Sequence, residues 1–190
     1  KVIGSETDAS IVDLPGIYSL SPYSMEEIVT RNYLIDEKPD LIINIVDATN
    51  LERNLYLSLQ IAELGRPMVI ALNMVDMLEK RGDTIDYPLL SALLGITIVP
   101  ISASRGTGIH KLIHAAEHEV IHATSNTHLD RHCNLGDPPD LYTGAVRQAV
   151  KLIEDLIRDN CKEHDLPLRW SAVKLIEGDA PTLEKLNLSD

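Results

Sequence analysis

The chain has 190 residues, 17 of them basic and 29 acidic, for a formal net charge of −12. That length holds one full hydrophobic core, or one domain and part of a second. The acidic balance argues against a nucleic-acid groove or an anionic membrane surface as the main partner. Phenylalanine is absent and aromatics make up 4%, so the core must be built from Leu, Ile, Val and Ala. The two cysteines, Cys133 and Cys161, lie far apart with no C-x-x-C, which fits a reducing setting better than a disulfide scaffold. No apolar run approaches the length that spans a bilayer. No signal peptide is visible, and Lys1-Val-Ile-Gly4 reads like the middle of a domain.

Strand and helix signals alternate along the chain, which predicts an α/β fold with a mostly parallel sheet covered on both faces. Lys1–Ile3 and Ala9–Val12 read as a hairpin turning at Gly4–Asp8. Ser24-Met-Glu-Glu27 is a capping box, predicting a helix from about Met25 to Ile35, stopped by Pro39. Leu41–Val46 reads as a buried strand that ends in Asp47. Leu51–Leu64 is amphipathic and closes at Gly65, a natural helix-terminating residue. Met68–Leu72 is the next strand, Tyr87–Leu94 a short helix ending at Gly95, Ile96–Ile101 the last strand and Gly108–His122 the last helix of the unit.

The character changes near Ala123. Residues 124–140 are polar and rich in breakers and are expected to be a linker. Beyond it, Leu141–Cys161 and Leu168–Glu177 are helix-patterned, and Thr182–Leu188 begins another helix. The predicted organisation is therefore 1–123, an α/β unit, then the 124–140 linker, then a partial all-α domain over 141–190. Leu152, Leu156, Val173 and Ile176 recur at helical spacing and are expected to need a partner, so this segment should pack on the unit before it.

Two motifs carry the chemistry. Ile11-Val-Asp13-Leu-Pro-Gly16 is an apolar strand running into D-x-x-G, and Ala71-Leu-Asn73-Met-Val-Asp76 is an apolar strand running into N-x-x-D. Open α/β sheets bind ligands at the carboxyl ends of their strands. There the Asp13 carboxylate suits a water-mediated Mg²⁺ contact, and Gly16 lets a backbone N–H approach a γ-phosphate. Asp76 can accept both donors on the edge of guanine, a pairing adenine cannot supply. Asn73 would tie the base loop to its neighbours, and Met74 stands where N-K-x-D carries Lys, with an apolar body able to cover one face of the base. Ser102-Ala103-Ser104 follows the next strand, where backbone N–H groups would meet the guanine O6 and buttress Asp76. Either motif alone is equally a strand-ending or capped turn; their order and spacing together read as a GTP-binding switch protein.

No G-x-x-x-x-G-K-[ST] phosphate loop occurs in the 190 residues. Ser104-Arg-Gly-Thr-Gly-Ile-His-Lys111 resembles one superficially, but its spacing is wrong. Ile17 stands where many switch GTPases carry the Gln that orients the attacking water, so hydrolysis would rest on backbone groups, a cation or residues outside this chain. His110, His114, His118 and His122 are spaced at i, i+4. Neighbouring members could share a metal, yet the stripe drifts away from the helix's apolar face, so a solvated stripe is the expectation.

The runs Asp13-Leu-Pro-Gly-Ile-Tyr-Ser-Leu-Ser-Pro-Tyr-Ser24, Val46-Asp-Ala-Thr-Asn-Leu-Glu-Arg-Asn-Leu-Tyr-Leu57 and Ala71-Leu-Asn-Met-Val-Asp76 resemble the ferrous iron transport protein B (FeoB) family. The resemblance is strong over about residues 9–122 and weaker in the helical tail, where Arg169-Trp-Ser-Ala-Val-Lys-Leu-Ile-Glu-Gly178 carries it. It implies a P-loop-GTPase-like domain that binds GTP, GDP and Mg²⁺, joined through a helical domain to a membrane iron-permease domain of the same polypeptide. The cytoplasmic face of a cell inner membrane is the implied location. Nucleic acid is not an implied partner; a homo-oligomer stays open. By position, Asp13 and Gly16 fall to the γ-phosphate and Mg²⁺ site, Asn73, Met74 and Asp76 to guanine, Ser102, Ala103 and Ser104 to the loop behind it, and Ile17–Ser24 to the second switch. The family's phosphate loop and first switch are expected before Lys1. Two other readings stand beside this one: a non-catalytic GTPase-like interaction domain, and a soluble assembly GTPase.

Overall fold

The computed structural model describes residues 9–124 and 142–188. Three parallel strands form its sheet: β1 (Ile42–Asp47), β2 (Met68–Asn73) and β3 (Thr97–Pro100), in the order β1-β2-β3. The register pairs Asp47 with Asn73 and Leu72 with Pro100, so the carboxyl ends of the strands line one edge. Around the sheet lie α1 (Met25–Asn32), α2 (Leu51–Ala62), α3 (Val75–Arg81), α4 (Tyr87–Leu94) and α5 (Ile109–Thr124).

β2 is apolar at every position up to Asn73 because both its faces are covered. Met68, Ile70 and Leu72 face a core shared with Ile61, Ala62 and Leu64, while Val69 and Ala71 face Ile109, Leu112 and Ala115 of α5. β1 alternates instead: Ile42, Asn44 and Val46 are buried, Ile43 and Ile45 are exposed. The buried Asn44 is satisfied by a 2.8 Å hydrogen bond to the Ser58 hydroxyl on α2.

Most predicted elements are present, with shifted ends. The Ser24 capping box forms as read, with Glu27 donating its N–H to Ser24 Oγ and accepting from the Ser24 N–H. The helix it starts is α-helical only to Asn32 and continues as a wider π turn over Tyr33–Glu37. Lys38, in a left-handed conformation, ends that turn before Pro39. α3 was not foreseen; it begins inside the N-x-x-D motif. The Ala9–Val12 strand is a correction: these residues form no strand, because no described segment pairs with them, and Ile11 stays 77% exposed. Lys1–Ile3 and residues 125–140 of the expected linker lie outside the described residues, while Thr124 ends α5.

The tail folds as α6 (Gly144–Glu163), α7 (Leu168–Ile176) and α8 (Ala180–Lys185), around Val150, Ile157, Cys161, Ala172, Val173 and Leu186. It docks on the first unit, though not through the residues expected. Only Val173 of the four is buried; Leu152 and Leu156 are 62% and 71% exposed, and Ile176 is also exposed. The inward face of α6 runs one residue later, through Val150, Ile153 and Ile157. Docking falls to Trp170, which is buried in the first unit's own core. Arg31 of α1 adds a two-pronged ion pair to Asp179, at 2.9 and 2.6 Å, and lies 4.8 Å over the Trp170 ring. Lys38 pairs with Asp165, Lys185 with Asp36, and Tyr142 donates to Glu63 at the end of α2.

Candidate functional site

The carboxyl edge of the sheet brings together most of the residues that the motifs singled out. Asn73 is the last residue of β2, and its side-chain oxygen accepts the Ala103 N–H at 3.0 Å. Met74 follows in a left-handed conformation, φ 64°, and is half exposed. That backbone disfavours a side chain as long as Met, and such residues cluster at ligand sites. The turn it makes places Asp76 in the first turn of α3.

Asp76 is fixed from both sides. Its Oδ1 accepts the hydroxyl of the buried Ser102 at 2.8 Å, and Arg105 Nε lies 3.3 Å from Oδ2. The Ser102 hydrogen bond, aided by Arg105 and Lys80, holds its carboxyl below the usual carboxylate value. The group is therefore an anion at neutral pH, aimed by a buried neighbour. Ser104 Oγ is 3.3 Å from Ser102 Oγ. The loop closes through reciprocal backbone bonds between Ser102 and Thr107, both 3.1 Å.

Gly108 completes the loop. A Cβ there would sit 2.4 Å from the Pro100 carbonyl oxygen, and its φ is +82°. The glycines of Arg105-Gly-Thr-Gly108 therefore serve a tight return onto β3, in keeping with the rejection of this run as a phosphate loop. Arg105 as a partner of Asp76 escaped the sequence reading; only its place in the loop after Ser102-Ala-Ser104 hinted at it.

Asp13 and Gly16 are not part of this cluster. Both are exposed in a segment without regular structure. That segment is held at three points. Thr30 Oγ1 donates to the Pro15 carbonyl, Arg53 stacks 3.9 Å over the Tyr18 ring, and the fully buried Leu20 donates its N–H to Gln60 Oε1 at 2.8 Å. Ile17 packs against the main core, so its side chain does not offer a polar group to a nucleotide. His110, His114 and His118 are exposed and His122 is partly so, as the drift of the stripe predicted.

Residues 1–116 match the family described as ferrous iron transport protein B, and residues 142–190 match the FeoB cytosolic helical domain. An Fe(2+) transport protein A/Fe(2+) transporter FeoB fusion protein of Porphyromonas gingivalis is 45% identical over 177 residues, 89% of this chain and 19% of that protein. The Fe(2+) transporter FeoB of Salmonella typhimurium is 39% identical over 92% of this chain and 21% of its own length. The chain thus spans about a fifth of these curated relatives. Among solved structures, NFeoB from S. thermophilus bound to mGMPPNP is 39% identical, with a TM-score of 0.78, covering 94% of this chain and 62% of that one. The same protein bound to GDP·AlF4⁻ and K⁺ also gives 0.78 at 39% identity, with 94% and 65% covered.

Proposed function

The chain belongs to the ferrous iron transport protein B family, and we propose that it serves as the guanine-nucleotide-binding part of a ferrous iron membrane transporter. In this reading the intact protein binds GTP, hydrolyses it slowly and uses the nucleotide state to gate Fe²⁺ uptake. The observation that carries it is the Asn73–Ala103 and Asp76–Ser102 pair of hydrogen bonds at the carboxyl edge of a parallel sheet. Those bonds leave a pre-aimed carboxylate beside the half-exposed Met74, which suits the two-donor edge and apolar face of guanine. Ser102, Ala103 and Ser104 form the loop behind the base.

The exposed Asp13 carboxylate fits the hydrated, oxygen-only shell that Mg²⁺ prefers, and Gly16 is exposed, with nothing within 4 Å of an added Cβ. Bound Mg²⁺ would neutralise charge on the β- and γ-phosphates. Ile17–Ser24 is the second switch. We divide the chain into a nucleotide-binding domain over 1–123, a linker over 124–140 and a helical domain from 141. A membrane iron-permease domain of the same polypeptide is the partner, which places this part on the cytoplasmic side of the inner membrane. Among the described residues no helix is long and apolar enough to cross a membrane.

The test is a change of base preference. In the intact protein, Asp76→Asn presents a donor where guanine also presents one, so preference shifts from guanine toward xanthine nucleotides. If the Asn variant binds GTP as well as its parent, the guanine-site assignment is wrong.

A further inference from the structure

We propose that His118 and His122, on the solvent side of α5, form a chelating site for a first-row divalent cation, with Cu²⁺, Ni²⁺ and Zn²⁺ preferred over Fe²⁺. The two Nε2 atoms share a hydrogen bond of 2.9 Å, with ring centroids separated by 4.1 Å and ring planes inclined at 48°. Metal–imidazole bonds are about 2.0–2.1 Å long. Two such nitrogens at a right angle about one metal are roughly 2.9 Å apart, and at a tetrahedral angle roughly 3.4 Å. The separation of the pair therefore already matches the bite of a chelate; a metal would replace the proton between the two nitrogens as the rings turn both lone pairs toward it.

The helix that carries the pair is anchored to the sheet through its first half. Both residues belong to one helix of 16 residues, one turn apart. Ile109, Leu112 and Ala115 on its other side pack against Val69, Ala71, Val99 and Ile101 of the sheet. The histidines are not needed for that packing. Glu119, between them in sequence, is buried and accepts the Thr97 hydroxyl, so it is not a ligand.

Among the described residues no group of three His, Cys, Asp or Glu side chains could hold a metal. Among the described residues the pair therefore stands as a two-nitrogen chelate. Neutral imidazole suits Cu, Ni and Zn, and the order of divalent affinities puts Fe²⁺ below all three. The site would accordingly respond to cations other than ferrous iron. Bound metal would tie together adjacent turns near the carboxyl end of α5.

Titration calorimetry on the intact chain, without an affinity tag, tests this with Cu²⁺, Ni²⁺, Zn²⁺ and, under anaerobic conditions, Fe²⁺. The expected result is micromolar binding of one cation, tightest for Cu²⁺ and weakest for Fe²⁺. His118→Ala and His122→Ala should each weaken it at least tenfold. His110→Ala, on the same stripe two turns earlier, should leave it unchanged, and far-UV circular dichroism should confirm that all three variants are folded. Imidazole proton resonances of His118 and His122 should broaden first on adding Cu²⁺. No binding by the parent, equal affinity in either alanine variant, or tightest binding of Fe²⁺ would overturn the proposal.

Discussion

Arg31→Met should separate the helical tail from the domain it docks on. The Arg31 and Asp179 side chains are only 4% and 8% exposed, so solvent screening does little for either. Arg31 also donates to Thr182 Oγ1 at 3.0 Å, and Asp179 caps α8 by accepting the Thr182 N–H. Methionine keeps the apolar contact with Trp170 but leaves a buried carboxylate without its cation. Breaking a buried pair from one side costs about 3–5 kcal/mol, which for a chain of this size lowers Tm by roughly 6–20 °C. Asp179→Asn in the same background should recover part of the loss, since the orphaned charge goes with it. Burial alone would raise the Asp179 carboxyl, but the hydrogen bonds from Arg31 and Thr182 outweigh it and hold it low. A depressed native value contributes stability that is present above the unfolded carboxylate value of about 3.9 and fades as pH falls through the native one. The parent's advantage over the double variant should therefore shrink below about pH 4. Thermal and urea unfolding measure the first effect. Hydrogen exchange measures the functional one: if the joint relays the second switch, protection in residues 142–188 differs between GDP and a non-hydrolysable GTP analogue in the parent, and the difference vanishes in Arg31→Met. A loss below about 1 kcal/mol would refute the energetic reasoning. Identical protection in both nucleotide states of the parent would make the tail a spacer.

Gly108→Ala should destabilise by about 2–4 kcal/mol, from positive φ and collision with the Pro100 carbonyl together, and should weaken guanine-nucleotide binding in the intact protein; thermal shift and fluorescent-nucleotide titration read both. Glu63→Gln should stabilise the fold at neutral pH. Burial raises the Glu63 carboxyl against the Tyr142 hydrogen bond, so the ionised group costs stability as pH rises from about 4.3 through its native value, and the variant's gain should disappear in acid. Residues 1–190 alone should bind GTP or GDP weakly at best, because phosphate-loop N–H groups and Lys supply much of the phosphate binding in such proteins. Micromolar affinity by calorimetry would contradict this.

Local signals were legible wherever a single element decides them. The five apolar residues of β2 before Asn73 require cover on both faces, and they have it. The capping box at Ser24 and the terminating Gly95 needed only their neighbours to act. The Asn73–Asp76 motif and Ser102 were legible as a pair because parallel strands bring their carboxyl ends to one edge. The Ala9–Val12 strand was misread for the complementary reason: a short apolar run only nominates a strand, whereas a strand exists only by pairing. α3 was hidden because it begins inside the N-x-x-D motif, and Met74 starts it from a conformation that propensity does not favour.

The tail was misjudged because apolar spacing indicates that a helix has a buried face without saying which residues lead it. Leu152 and Leu156 fit the period as well as Val150 and Ile157 do, and only the register against α7 separates them. What holds the tail on is a cation, an indole and a carboxylate, separated by up to 148 positions in sequence. Nothing periodic marks such a joint. The run Val46–Leu57 poses the same problem in reverse, a distinctive sequence with no chemistry legible in its spacing. Asp47 there accepts the Thr49 N–H, Asn54 ties back to the Asn50 carbonyl and Arg53 covers Tyr18. Gln60, two residues after Ser58 on the same helix, holds the Leu20 N–H. α2 thus grips the Ile17–Ser24 segment from one side, while Ser24 starts α1 and Arg31 ends it against Asp179. A displacement of that segment must either break a buried contact on α2 or move the helix that carries Arg31. If a nucleotide-dependent change reaches the tail, that continuity makes the joint, rather than the exposed stripe of α6, its route.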